Sequence, residues 1–194
     1  MPKTKPVEKH VTKETTARAV PQETAPETET DDTTRLVDAI ELLFFAYRDF
    51  ISDPDALLAE YDFGRAHHRV IHFVGRNPGI TVAELLNILR ITKQSLARVL
   101  KQLIERGFVA QETGQKDRRQ RLLYLTEAGE DLNDRLAAPQ RERVARAMEE
   151  ANIETGGNAE EAWRKVMLAL LNKENRAEVE DRLSRPAAPK GRKA

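Results

Sequence analysis

Apolar side chains recur at spacings of three and four along most of this chain. Leu36, Val37, Ile40, Leu43, Phe44, Tyr47, Phe50 and Ile51 form such a series, which predicts an amphipathic helix over 33–51 with a stripe wide for a single helix. Ser52-Asp53-Pro54 then offers a cap followed by proline at a first helical position, predicting a separate short helix to about Tyr61. A helix over 64–76 is closed by the breakers Asn77-Pro78-Gly79. Thr81 and Glu84 have the spacing of a capping box, opening a short helix with Val82, Leu85, Leu86 and Leu89 inward. Arg90-Ile91 makes a tight connection. Thr92 caps a second helix, with Leu96, Val99, Leu100, Leu103 and Ile104 on one face and Gly107 at its end. Two short helices joined this tightly form a helix-turn-helix.

Beyond Gly107 the period becomes that of strands. Phe108-Val109-Ala110 starts one, Gly114-Gln115-Lys116-Asp117 is a turn, and Leu122-Leu123-Tyr124-Leu125 is the return strand of a hairpin, or wing. Thr126 caps a long helix over 127–151, which Pro139 is expected to kink. Thr155-Gly156-Gly157-Asn158 separates it from a last helix over 159–182 carrying Trp163, Val166, Met167, Leu170 and Leu171. Residues 1–31, rich in Thr, Glu, Lys and Pro, are expected to be a disordered tail, and 183–194 a short basic one. The fold class is therefore mainly α (α+β). A winged helix-turn-helix over 64–126 is joined to a helical dimerisation domain built from the N- and C-terminal helices, 33–61 and 127–182. The wide stripe of the first helix and the Trp163–Leu171 face need partners. A homodimer supplies them, and packing of the terminal helices on one another within a monomer is the alternative.

Composition narrows the chemistry. The 194 residues contain no cysteine, which excludes disulfides, thiolate metal sites and thiol switches. No apolar run approaches a membrane-spanning length and the start has no continuous apolar stretch, so a cytoplasmic protein is expected. A phosphate-cradling glycine loop, a nucleophile–base pair and a metal motif are all missing, so no enzyme and no cofactor are expected. The net charge is zero, but Gly64–Thr126 holds twelve Lys/Arg against four Asp/Glu, a local +8. Double-stranded DNA is the partner such a segment suggests. Opposite the apolar stripe of 92–106 lie Gln94, Ser95, Arg98 and Gln102, with Lys93 and Lys101 at the edges and Thr92 at the start. Glutamine can pair with adenine and arginine with guanine in the major groove. The wing adds Lys116, Arg118, Arg119 and Arg121, which suit the minor groove, with Asp117 as a brace for a neighbouring arginine. A merely solvated helix face and an ordinary charged loop are the bland alternatives. At the level of function, so are a nonspecific nucleoid-type binder and a winged-helix protein-interaction module.

The run Thr-Val-Ala-Glu-Leu-Leu at 81–86 and the helix Thr-Lys-Gln-Ser-Leu-Ala-Arg-Val-Leu at 92–100 resemble the MarR family of bacterial transcriptional regulators. Leu103 to Val109, Asp117-Arg118-Arg119 and Leu125-Thr126-Glu127-Ala128-Gly129 extend the likeness, which covers about 33–175 with the flanking helices. The pairing of Gly64–Arg69 with Ile91–Ser95 is similar to the alphaproteobacterial PetP/LdtR-like subset. The resemblance implies a dimeric repressor on a pseudo-palindromic operator, released by a small phenolic or carboxylate effector. It places Arg119 at the wing tip, Asp117 at the bracing position, and Gln94, Ser95 and Arg98 at DNA-contacting positions. For an effector, Arg65, His67 and His68 are expected beside Tyr47 and Phe50, where cations over aromatics could hold an aromatic acid. His68 and His72 have the i, i+4 spacing of metal ligands, but no supporting cluster accompanies them and no metal is expected. Histidines simply packed or hydrogen-bonded under the winged domain remain the other reading.

Overall fold

The computed structural model describes residues 27–115 and 117–186. Its elements are α1 (Glu27–Ala59), α2 (Arg65–Arg76), β1 (Ile80–Thr81), α3 (Val82–Leu89), α4 (Lys93–Glu105), β2 (Val109–Thr113), β3 (Arg121–Leu125), α5 (Glu127–Thr155), α6 (Ala159–Ala169) and α7 (Lys173–Ser184). The chain divides into two compact units, 1–42 and 43–194. In the first, the described residues belong to the opening part of α1, where Leu36, Val37, Ile40 and Leu42 are exposed. Residues 1–26, most of the expected N-terminal tail, and 187–194 of the C-terminal one lie outside the described residues.

The second unit is built around the winged helix-turn-helix. Val70, Ile71 and Val74 of α2, Leu85 and Leu89 of α3, and Leu96, Val99 and Leu103 of α4 make a core with Val109, Leu123, Leu132 and Leu136. Each such side chain contributes about 1.5–3 kcal/mol by leaving water. The helix-turn-helix starts as its capping box requires. Thr81 Oγ1 accepts from the Glu84 N–H (3.2 Å), and a Glu84 oxygen accepts from the Thr81 N–H (2.8 Å). The Thr81 N–H and hydroxyl, which both donate to that oxygen, hold the Glu84 carboxyl below the usual carboxylate range. At α4 the Thr92 hydroxyl accepts from the Ser95 N–H (3.1 Å). At α5, Thr126 accepts from the Gly129 N–H (3.1 Å) and donates to the Gly107 carbonyl (2.6 Å), pinning the long helix to the root of the wing. The sheet has the order β1-β3-β2 and is antiparallel, with Ile80 opposite Leu123 and Val109 opposite Leu125.

The structure corrects several sequence expectations. Helix α1 begins at Glu27, inside the segment expected to be disordered to residue 31. The acidic run there suits the positive end of a helix dipole, which a purely compositional reading does not weigh. Ser52-Asp53-Pro54 does not start a new helix: α1 runs through to Ala59 with a buried Pro54 inside it. Proline denies the Phe50 carbonyl its usual donor, and the Gln140 side chain of α5 supplies one at 3.4 Å. The Ser52 hydroxyl, the expected cap, donates instead to the Asp49 carbonyl (2.8 Å). The two-residue strand β1 had no sequence signal. The expected last helix, 159–182, is two helices, broken where Asn172 adopts an extended ψ of 140°.

Candidate nucleic-acid interface

Helix α4 buries Leu96, Val99, Leu100 and Leu103 and leaves Lys93, Gln94, Ser95, Arg98, Lys101 and Gln102 on its exposed side, together with the capping Thr92. Four of these are engaged. The Ser95 hydroxyl accepts from the Thr92 hydroxyl (2.9 Å), Lys101 pairs with Glu105 (3.7 Å), and Gln102 Oε1 lies 2.7 Å from His67 Nε2.

The wing is closed by its own backbone. The Gly114 N–H donates to the Gln120 carbonyl and the Gln120 N–H to the Asp117 carbonyl, both at 3.0 Å. The Asp117 carboxylate accepts from the Arg119 backbone N–H at 2.9 Å. Asp117 thus engages the Arg119 main chain and not its guanidinium, and Arg119 is exposed. Arg121 is held by the Thr113 hydroxyl (2.7 Å). Lys116 lies outside the described residues.

The structure sorts the cations of the +8 segment into two classes. Arg65 pairs with Asp55 (2.9 Å), Arg69 donates to the Leu89 carbonyl (3.0 Å), and Arg76 donates to the Arg185 carbonyl (3.3 Å). Arg90, left-handed at φ +52° in the turn of the helix-turn-helix, donates to Asn175 (3.2 Å) and faces Glu178. Arg106 donates to the Tyr61 carbonyl and covers Phe63. These arginines are scaffold. The side chains of Lys93, Arg98, Arg118 and Arg119 are exposed and have no ion-pair or hydrogen-bond partner among the described residues. All four lie on α4 or the wing. Sequence reasoning missed the structural arginines because net charge counts every cation alike.

Two of the residues expected to form an effector site, His67 and Arg65, are engaged elsewhere. His67 is buried and stacked on Phe63 at 4.5 Å, with Gln102 and the Gly64 N–H on its two nitrogens. Arg65 is spent on Asp55. Tyr47 is exposed and Phe50 is half-buried. His68 is half-buried, and burial and the neighbouring His72 push it below the ordinary histidine range, with Asp55 opposing. Among the described residues no group of three His, Cys, Asp or Glu side chains is placed to hold a metal ion. No helix there is long and apolar enough to cross a membrane.

A helix-turn-helix whose unengaged cations lie on its second helix and its wing invites comparison with known proteins. Residues 61–120 match the MarR family. Over 133 residues the chain is 47% identical to the HTH-type transcriptional regulator PetP of Rhodobacter capsulatus, covering 69% of this chain and 78% of that one. The chain belongs to the MarR family. As a MarR protein it is a DNA-binding transcriptional regulator and not an enzyme. Solved MarR structures share its fold. One MarR family regulator superposes with a TM-score of 0.61 at 20% identity, over 80% of this chain and 99% of that one. Another, from Silicibacter pomeroyi, gives 0.55 at 21% identity, over 70% and 90%.

Proposed function

We propose that this MarR protein acts in the cytoplasm as a homodimeric repressor on a two-fold-symmetric operator. In each protomer α4 enters the major groove and the wing follows the backbone into the minor groove. The observation that carries the reading is that, within 64–126, the cations whose side chains have no partner among the described residues, Lys93, Arg98, Arg118 and Arg119, all lie on these two elements. Gln94, Ser95 and Arg98 contact base edges. Thr92, Lys93 and Lys101 serve phosphates around the helix, and Arg119, with Lys116, Arg118 and Arg121, serves the wing. The dimer reading is supported by apolar side chains left in water. Phe44 is 67% exposed and Trp163 52%, and Phe45, Val166 and Leu170 are exposed with them. So much uncovered apolar surface is unusual in a monomer. Two copies place their recognition helices about one DNA turn, roughly 34 Å, apart.

Release by a small phenolic or carboxylate effector is supported by the family resemblance. With Arg65 and His67 engaged elsewhere, half-buried His68 is the residue to test, by calorimetry with salicylate on wild type and His68→Ala.

Fluorescence anisotropy on duplexes from the protein's own upstream region tests the main reading. We expect at least about a 10³-fold preference over random duplex with a steep salt dependence, and sedimentation of twice the chain mass. Equal affinity for both duplexes, or a monomer on DNA, would overturn it.

A further inference from the structure

His67 is a buried titratable side chain that DNA contact does not explain. It sits in the first turn of α2, 8% exposed, its ring parallel to Phe63 at 4.5 Å and 10°. The Gly64 backbone N–H points at Nδ1 from 3.1 Å, so Nδ1 is an acceptor and the proton is on Nε2. Nε2–H then donates to Gln102 Oε1 at 2.7 Å, which fixes the orientation of the Gln102 amide. A glutamine reads adenine by offering its oxygen and its nitrogen together. With Oε1 held by His67, the Gln102 amide is not free to turn both groups toward a base edge.

The segment just before α2 holds the end of α4 a second time. Arg106, one helical turn beyond Gln102, donates to the Tyr61 carbonyl and lies 4.6 Å over the Phe63 ring. Tyr61 also accepts, at its hydroxyl, from Arg135 of α5 (2.8 Å). Residues 61–67 therefore hold the C-terminal half of α4 and its cap at two points, Gln102 and Arg106, and α5 at one. Two tethers one turn apart fix both the roll and the tilt of a helix, and with them the direction of Gln94, Ser95 and Arg98 at its other end.

We propose that His67 and Gln102 are a positioning pair: the hydrogen bond between them sets the orientation of the recognition helix, and Gln102 holds that helix rather than reading a base. The proposal rests on α4 being the recognition element. His67→Phe keeps the stack on Phe63 and removes both hydrogen bonds. Gln102→Leu keeps the volume and removes one partner. His67→Gln restores a donor close to the imidazole Nε2 position.

The test is a double-mutant cycle read as the ratio of affinities for the protein's own operator and a random duplex. His67→Phe and Gln102→Leu should each lower that ratio about 5- to 10-fold, the effect of one lost hydrogen bond, and the double variant no further. His67→Gln should restore it, and affinity for random duplex should not change. Additive losses, or a changed base preference at a single operator position in Gln102→Leu alone, would overturn the proposal and return Gln102 to base reading. A readout without DNA separates this from failure of the operator reading. Hydrogen exchange of amides 96–102 in the free protein should speed up in His67→Phe and not in His67→Gln. Unchanged exchange in His67→Phe refutes the positioning role whatever the DNA result.

Discussion

Gly129 lies in the first turn of α5, the helix that leads out of the wing. A Cβ built there would sit 2.0 Å from the Phe108 carbonyl oxygen and 3.0 Å from its carbon. Ordinary contact needs more than 3 Å, and the obstacle is backbone, so β2 and α5 must separate by about 1 Å. The Phe108 oxygen is also the acceptor for the Thr126 N–H (3.1 Å), and the Gly129 N–H is the one that Thr126 caps. Alanine in a helix normally gains up to about 1 kcal/mol over glycine. Against that stand about 1–3 kcal/mol of overpacking and two hydrogen bonds weakened at about 1 kcal/mol each. Gly129→Ala is therefore expected to destabilise the protein by about 2–4 kcal/mol. Urea unfolding followed by circular dichroism at fixed protein concentration measures it. With a slope of about 2 kcal/mol/M the midpoint should fall by about 1–2 M. A variant as stable as wild type would refute the packing of α5 on the root of the wing.

Five further outcomes follow from the same geometry. Thr81→Ala should cost about 1 kcal/mol near neutral pH. Because the Glu84 carboxyl is held low, its contribution is full above the ordinary carboxylate pKa and lost as pH falls through the lowered one. Acid unfolding curves of wild type and Glu84→Gln should therefore converge. His68 has the opposite requirement. With its folded pKa depressed, the unfolded chain binds more protons between that value and about 6.5, so stability falls as pH drops through this window, and His68→Asn should flatten the slope. Arg119→Ala should weaken all duplexes alike and reduce the salt slope by about one. Arg98→Ala should cost about 1–3 kcal/mol of base discrimination, seen as relaxed preference in competition binding. An unchanged preference with a shallower salt slope would make Arg98 a phosphate clamp.

Local signals with a short reach were legible in the sequence. Thr81, Thr92 and Thr126 are followed three residues later by the amides they cap, and Gly107 ends α4, so the helix-turn-helix and wing could be placed within a residue or two. Effects decided by distant partners were not. Pro54 looked like a helix start because the Gln140 donor that rescues the Phe50 carbonyl is 90 residues away. Arg69, Arg76, Arg90 and Arg106 looked like DNA-facing charge, yet each is tied to a carbonyl or side chain remote in sequence. His67 looked like a ligand group, and its commitment to Gln102 depends on how α2 crosses α4. Asp117 stood between these cases: its place in the turn was visible, but its choice of the Arg119 amide over a guanidinium was not.

The central claim is that α4 and the wing of two copies read one symmetric DNA site. Sequencing the genomic fragments captured by the purified protein tests it most directly. The account predicts enrichment of a two-fold-symmetric motif with half-sites about 10 base pairs apart, lost in Arg98→Ala. Capture of fragments sharing no motif, or of a motif with a single unsymmetric half-site, would contradict it.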